Sequence, residues 1–348
     1  MTLWLLGMHS PMYKGAIIGL GNVALKGHLP GWKNKSEFRI VAGVDPHSER
    51  RNLFSKALPE AFCTDSLAQL PEDLDFIDIC TPPYTHFNMV MEALERGWNV
   101  LCEKPLVLAT WQLNRILQLA KQRERLVFTV HNWKFAPICR KIAELISSGA
   151  LGQIHHCDWQ VLRTGPSITT DAGNWRLDPE KAGGGILVDH GWHAFYLVID
   201  WMRADPSSVQ ASLEKRRHLD LAVEDTAVVT IRFDSINRHG GTANIFLTWA
   251  SPQRRNWGTI QGTLARLTID DDWLNLVRND GDEERFHFDK ELSSGSHHPE
   301  WFRCVAEEFA GELKGSSRPG SNLRVAQLCL RLVEQSKASS RVQEYLPL

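Results

Sequence analysis

Residues 14–24 read KGAIIGLGNVA, and this stretch decides the fold. The apolar run ending at Ile18 gives way to Gly19-Leu20-Gly21-Asn22-Val23-Ala24, the spacing G-x-G-x-x-G/A directly after a strand pattern and opening toward a helical region. Gly19 permits a tight turn, Gly21 lets the backbone approach a pyrophosphate, and Ala24 is small enough for a helix to close on the strand. Gly19, Gly21, Asn22, Val23 and Ala24 are therefore the expected dinucleotide loop. Asp45 ends the next apolar run, FRIVAGVD, roughly twenty residues on, where a carboxylate binds an adenosine ribose. Its charge repels a 2′-phosphate and points to NAD. Arg50 and Arg51 follow closely enough to offset that repulsion, so NADP stays possible.

Outward from this stretch, FIDICTPP, WNVLCEKP and RLVFTVHN continue the apolar runs, separated by helix-like HFNMVMEALERG and ATWQLNRILQLAKQRE. Strands alternating with helices predict βαβ units, and so an N-terminal Rossmann domain with a doubly wound parallel sheet over residues 1–130. At its carboxyl edge, Thr81, Pro82 and Pro83 are expected beside the cofactor. His86 is read either as a cofactor contact or as a helix-capping or surface residue. Past Asn132 the rhythm changes. A helix, PICRKIAELISSG, stops at Gly149, and strand-like runs follow: QIHHCDWQVL, SVQASLEKR, DTAVVTIRF, GTANIFLTWA, NWGTIQGTLARLTID and ERFHFD. In DTAVVTIRF, Ala227, Val229, Ile231 and Phe233 alternate with a less apolar set, the period of a sheet with one buried face. With PEWFRCVAEEFAGEL and LRVAQLCLRLVEQS closing the chain, residues 131–348 are expected to form a C-terminal α+β domain with a large, mostly antiparallel open sheet.

Composition limits the function classes. At 348 residues two domains are expected, and 43% hydrophobic with 23% charged residues is ordinary for a soluble enzyme. A net charge of −2 gives no reason to expect a nucleic-acid or anionic-membrane partner. The seven cysteines are scattered, odd in number and without a C-x-x-C pair, which argues for reduced thiols and a cytoplasmic location. The opening MTLWLLGMHSP lacks a basic region and a small-residue cleavage site, so no signal peptide is expected. No run of eighteen apolar residues predicts a membrane span.

Two further stretches carry chemistry. NVLCEKPLVL, residues 99–108, is a strand that stops on Glu103, Lys104 and Pro105, and GGGILVDHGWH, residues 183–193, spaces Asp189 and His193 four apart, which places both on one helical face. Asp189, His190 and His193 lack a fourth donor, so no metal is expected there. With the fingerprint and the TPPYTH loop at 81–86, these motifs occur in the order that resembles the Gfo/Idh/MocA oxidoreductases, and the likeness continues through NWRLDPEKAGGG to the C-terminal helix. The resemblance implies a Rossmann domain followed by a mostly antiparallel domain, and hydride transfer between a nicotinamide and a sugar, polyol or related alcohol. Carried over, Lys104 is the catalytic lysine, Glu103 shapes its surroundings, and a cis bond precedes Pro105. His193 becomes the general base and Asp189 sits close to the substrate hydroxyls.

Tyr196 departs from the aspartate that many relatives carry three residues after the histidine, which leaves the substrate open. Asn132, Trp175 and Arg176 are expected near the substrate, a purely structural tryptophan being the alternative for Trp175. The expected activity is an NAD-dependent dehydrogenase acting on a small-molecule sugar, sugar derivative or cyclitol. An NAD-holding glycosidase working by transient oxidation and a non-catalytic NAD-binding sensor are the alternatives. A homodimer or homotetramer through the one-faced C-terminal sheet is expected, since family members commonly pair that way and an uncovered sheet face needs a partner.

Overall fold

The computed structural model describes residues 12–167, 174–234, 240–317 and 320–348; the opening segment read above for a leader lies outside the described residues. The first sheet contains β1 (Tyr13–Ile18), β2 (Phe38–Val44), β3 (Phe62–Thr64), β4 (Phe76–Ile79), β5 (Asn99–Cys102) and β6 (Val127–Thr129), in the order β3-β2-β1-β4-β5-β6. Its pairings are parallel. Ala16, Ile17 and Ile18 are at most 1% exposed, which is why this strand reads as an unbroken apolar run with both faces covered. The five strands expected from sequence are present, and the short β3 joins them at one edge. The order reverses between β1 and β4, and at such a point the loops leaving the carboxyl ends of the strands part to form a crevice. Gly19, Asp45, Thr81, Lys104 and Asn132 each follow a strand of this sheet, so all five sit on the same edge.

A second, nine-stranded sheet follows: β7 (Ile154–Leu162), β8 (Pro206–Glu214), β9 (Thr226–Phe233), β10 (Gly241–Thr248), β11 (Arg255–Gly262), β12 (Ala265–Asp270), β13 (Trp273–Arg278), β14 (Glu283–His287) and β15 (Leu346–Pro347). The order is β14-β13-β12-β11-β7-β10-β9-β8-β15, with only β7 and β10 parallel among the described residues. In β9 the expected alternation holds, with Ala227, Val229, Ile231 and Phe233 buried and Val228 and Arg232 exposed. NWGTIQGTLARLTID, read as one run, folds as β11 and β12 around Thr263-Leu264, and β13 was not foreseen. Neither turn residue is a glycine or asparagine, so the usual hairpin signal is missing.

The cut expected at residue 130 is crossed near the C-terminus. Helix Pro299–Leu313 returns to the first sheet, where Phe302, Val305 and Phe309 pack with Trp32, Phe38, Phe76 and Phe128. Helix Ser321–Val342 instead lies against β8 and the helix Gly191–Met202. Among the described residues no helix is long and apolar enough to cross a membrane.

A buried ionic cluster ties the cofactor edge together. His28, from the helical turn after the glycine loop, has Nδ1 3.0 Å from both oxygens of Asp78 on β4 and Nε2 3.0 Å from Glu103 Oε1 after β5. Trp32 Nε1 also donates to Asp78 (2.7 Å), and the His28 ring stacks on Phe302 at 3.8 Å. Burial works against charge on His28, but the Asp78 carboxylate and Cys80 outweigh it and hold the pKa well above the ordinary histidine value. A charged ring donates from both nitrogens at once, one to each carboxylate. Glu103 passes the constraint on, since its Oε2 accepts the backbone N–H of Lys104 (2.9 Å).

This cluster predicts a pH signature. Because the folded-state pKa of His28 lies above the unfolded value near 6.5, its stabilisation is complete below about pH 6.5 and is lost as pH rises through the folded value. Thermal denaturation should show a melting temperature that declines across that alkaline window. His28→Gln strands two carboxylates, should cost about 3–5 kcal/mol, and should flatten the decline. An equally steep decline in the variant would place the titrating group elsewhere.

Candidate active site

The crevice between the two sheets is a cleft of about 1630 Å³. Every residue expected at cofactor or substrate lines it except Ala24 and His86. Gly19 has φ +86°, and a Cβ there would lie 2.6 Å from Thr81 Cγ2, so the turn after β1 requires glycine. Gly21 is the opposite case: an added Cβ would meet no protein atom within 4 Å, which leaves this backbone bare to the cleft. Ala24, 0% exposed, packs beneath. Asp45 Oδ2 accepts the Leu20 N–H (2.9 Å) and Oδ1 accepts the His47 N–H (2.9 Å), while Arg50 Nη1 stands 3.5 Å away. The carboxylate thus organises the glycine loop, and His47 Nδ1, 3.0 Å from Oδ1, shares its remaining acceptor positions with Arg50.

His86 departs from its expected cofactor contact. It is fully buried, with Nδ1 2.9 Å from the Pro105 carbonyl and Nε2 2.8 Å from the Thr81 carbonyl, and burial lowers its pKa. A neutral ring has one N–H and donates to one of these carbonyls at a time. It braces the Thr81 loop against the loop after β5.

In that second loop the Lys104–Pro105 bond is cis, as expected. Lys104 Nζ crosses to the second half of the chain, donating to the Asp189 carbonyl (2.6 Å) and Oδ1 (3.3 Å). The helix expected to carry Asp189 and His193 is broken. It runs Ile186–Asp189, pauses at His190 and resumes Gly191–Met202. The break lets the Asp189 carbonyl serve the lysine. Gly185 caps the first segment where a Cβ would lie 2.0 Å from the Glu224 carbonyl oxygen, so the close approach made by that glycine is to the protein's own backbone. Burial opposes ionisation of Asp189, but Lys104, His190 and Arg176 hold it far below the usual carboxylate range. His190 is pushed down to about 3, chiefly by burial, and is neutral near pH 7.

His193, 7% exposed, lies flat on Trp133 with ring centroids 4.4 Å apart. Burial first, then Lys104 and His190, keep its pKa well below the ordinary value. Tyr196 decides which nitrogen holds the proton. The phenol oxygen accepts the Trp133 N–H (2.9 Å) and lies 2.8 Å from His193 Nδ1. The only acceptor it meets among the described residues is Nδ1, so the buried hydroxyl donates there and the ring hydrogen belongs on Nε2. His193 therefore rests as a donor. Sequence reasoning flagged Tyr196 without giving it this role, and it missed the His28–Asp78 pair altogether because neither belongs to a motif.

Comparison with known proteins gives the family and the fold. Residues 13–131 match the model of an oxidoreductase family with an NAD-binding Rossmann fold, and residues 139–268 match the GFO/IDH/MocA C-terminal domain. An uncharacterized oxidoreductase of Synechocystis sp. is 28% identical over 241 residues, 64% of this chain and 62% of that protein. D-glucoside 3-dehydrogenase of Escherichia coli is 27% identical over 194 residues, 53% of each chain. The matched stretches thus span between half and two thirds of those relatives. An Agrobacterium radiobacter oxidoreductase, solved with NAD+, L-tartaric acid and magnesium, superposes with a TM-score of 0.83 at 17% identity, covering 97% of this chain and 98% of that one, a likeness of fold. Two consecutive domain models of one family, matched in order around a single cleft, place the chain in the Gfo/Idh/MocA family of NAD-binding oxidoreductases.

Proposed function

We propose that the protein is an NAD-dependent dehydrogenase that interconverts a secondary alcohol and a ketone on a sugar, sugar derivative or cyclitol. The observation that carries this reading is the meeting of Lys104, Asp189 and His193 on the wall of a cleft whose other end is the glycine loop. The loop suits the dinucleotide: Gly21 offers bare backbone, and Asp45 offers a carboxylate on which ribose hydroxyls would take the place of the His47 ring. NAD bound there supplies the hydride acceptor. The residues manage the proton and the developing charge. Lys104, held by Asp189, places an ammonium beside the reacting oxygen and stabilises alkoxide character. Asp189 Oδ2, buried, 3.3 Å from His190 Nδ1 and in no hydrogen bond among the described residues, is the acceptor left for a neighbouring substrate hydroxyl.

His193 presents Nε2–H, which serves ketone reduction directly. To accept a proton in the oxidising direction the ring must shift its hydrogen to Nδ1, stranding the Tyr196 hydroxyl at a cost of about 1–3 kcal/mol. Base chemistry at His193 is thus available but not the resting state. A reducing cytoplasm suits seven unpaired thiols, and pairing of two chains through the second sheet belongs to the same proposal.

A panel of sugars and inositols with NAD, followed by NADH absorbance, tests the reaction; net NADH accumulation also separates a dehydrogenase from a glycosidase that regenerates its cofactor. Lys104→Met and His193→Ala should each lower kcat by roughly 10²- to 10⁴-fold with NADH affinity little changed. Near-normal turnover in Lys104→Met would remove the lysine from the chemistry. The Asp45 carboxylate should give a higher kcat/KM for NAD than for NADP, a gap that Asp45→Ser narrows. A wild type that favours NADP would overturn this and point to Arg50.

A further inference from the structure

The end of the cleft beyond Lys104 carries more positive charge than its carboxylates balance. Arg176 lines it, its guanidinium 4.3 Å from the Trp175 ring centroid, with Nε buried and without an acceptor. Arg254 lines it too, anchored by donation from Nε to the Ser293 carbonyl and from Nη2 to the Gly295 carbonyl (2.9 Å). Neither arginine makes an ion pair with a carboxylate among the described residues. Behind the wall, Arg163 is 1% exposed. Its Nη1 donates to the Leu162 carbonyl (2.8 Å) and Asn256 Oδ1 (2.9 Å), while Nε and Nη2 have no acceptor.

Against Lys104 and these three arginines stand two carboxylates. Asp189 is engaged by Lys104. Asp271 is engaged by Asn256 N–H (3.2 Å) and by the backbone (2.9 Å) and hydroxyl (2.7 Å) of Ser293. Glu103 faces the other way, onto His28. Burial lowers the pKa of Arg163 to about 9, which still leaves it charged at neutral pH. Arg163 is buried and Arg176 partly buried, whereas Arg254 is exposed at the cleft; a withdrawn guanidinium without a counter-ion is costly, and guanidinium geometry matches a planar oxyanion better than a hydroxyl. A neutral sugar would leave this imbalance in place.

We propose that the substrate is an anionic sugar, an alcohol that also carries a carboxylate or the chemically related phosphate, with that oxyanion held by Arg176 and Arg254. This rests on the dehydrogenase reading and narrows its substrate class. Arg163 adds a fixed positive field without touching the ligand. The competing use of the two arginines is the cofactor's own phosphates, because His297 feels both Arg176 and Lys26, the latter on the turn after the glycine loop.

Kinetics with NAD on matched pairs, D-glucuronate with D-glucose, D-gluconate with D-glucitol, and glucose 6-phosphate with glucose, test the proposal. In the pairs that turn over, the anionic member should have a kcat/KM at least tenfold higher. Arg176→Gln and Arg254→Gln should each remove at least tenfold of it through KM, with the neutral member changed less than threefold and NADH affinity intact. Arg176→Lys, which keeps the charge, should recover part of the loss. Preference confined to the phosphate ester would identify a phosphosugar; preference for the acids, a sugar acid. Equal or better turnover of neutral members, or arginine variants that weaken NADH instead, would overturn the assignment. If neither these pairs nor the panel of sugars and inositols turns over, the dehydrogenase reading fails. The anion site is then judged by quenching of bound NADH fluorescence on adding glucuronate or glucose 6-phosphate: saturable quenching abolished by Arg176→Gln sustains it, and its absence refutes it.

Discussion

The contact on which the rest of the architecture depends is the one between Lys104 and Asp189. It joins residues 85 positions apart, one leaving the fifth strand of a parallel sheet and the other ending a short helix beside a second sheet. Both side chains are largely withdrawn from water, at 14% and 19% exposure. An ion pair in that setting gives back part of its Coulomb gain as desolvation, so its net stabilisation is modest; removing one partner is costly because the other is stranded. Here the lysine also bonds the Asp189 main-chain carbonyl, which fixes where the broken helix begins its second segment. The same contact joins the two sides of the candidate site.

Two ionic systems flank that pair and pull in different directions. On the cofactor side, Asp78, His28 and Glu103 form a dense buried cluster in which one cationic ring satisfies two carboxylates. Its function is mechanical: it holds the Glu103-Lys104 loop by way of the Lys104 N–H. On the substrate side, Arg163, Arg176 and Arg254 exceed the carboxylates near them. The first cluster is closed on itself by hydrogen bonds, whereas the second, in the proposal above, keeps charge in reserve for a ligand.

Much of this was legible in the sequence, for identifiable reasons. The glycine loop, Asp45 and the strand ends were readable because backbone geometry there tolerates few residues; Gly19 at φ +86° is the plainest case. The family resemblance added Lys104 and its cis proline, which periodicity alone would have left as a charged strand end. What escaped was long-range or local in the wrong way. His28 meets Asp78 and Glu103 across 50 and 75 residues, and no spacing rule connects them. The interruption at His190 lies in an apolar run that reads as continuous helix. The return of helix Pro299–Leu313 to the first sheet is a packing decision made by Phe302 and Phe309 against Trp32 and Phe76, invisible to any cut drawn along the chain.

The central claim is that two halves of the chain make one catalytic site through Lys104 and Asp189, and a double-mutant cycle measures it most directly. Lys104→Met, Asp189→Asn and the double variant would be compared in kcat/KM and in unfolding free energy. If the pair acts as a unit, the double variant falls well short of the product of the single effects in both measurements, since each single change already disables the partner. Multiplicative losses in kcat/KM and additive losses in stability would mean that the two residues act independently, contradicting the account.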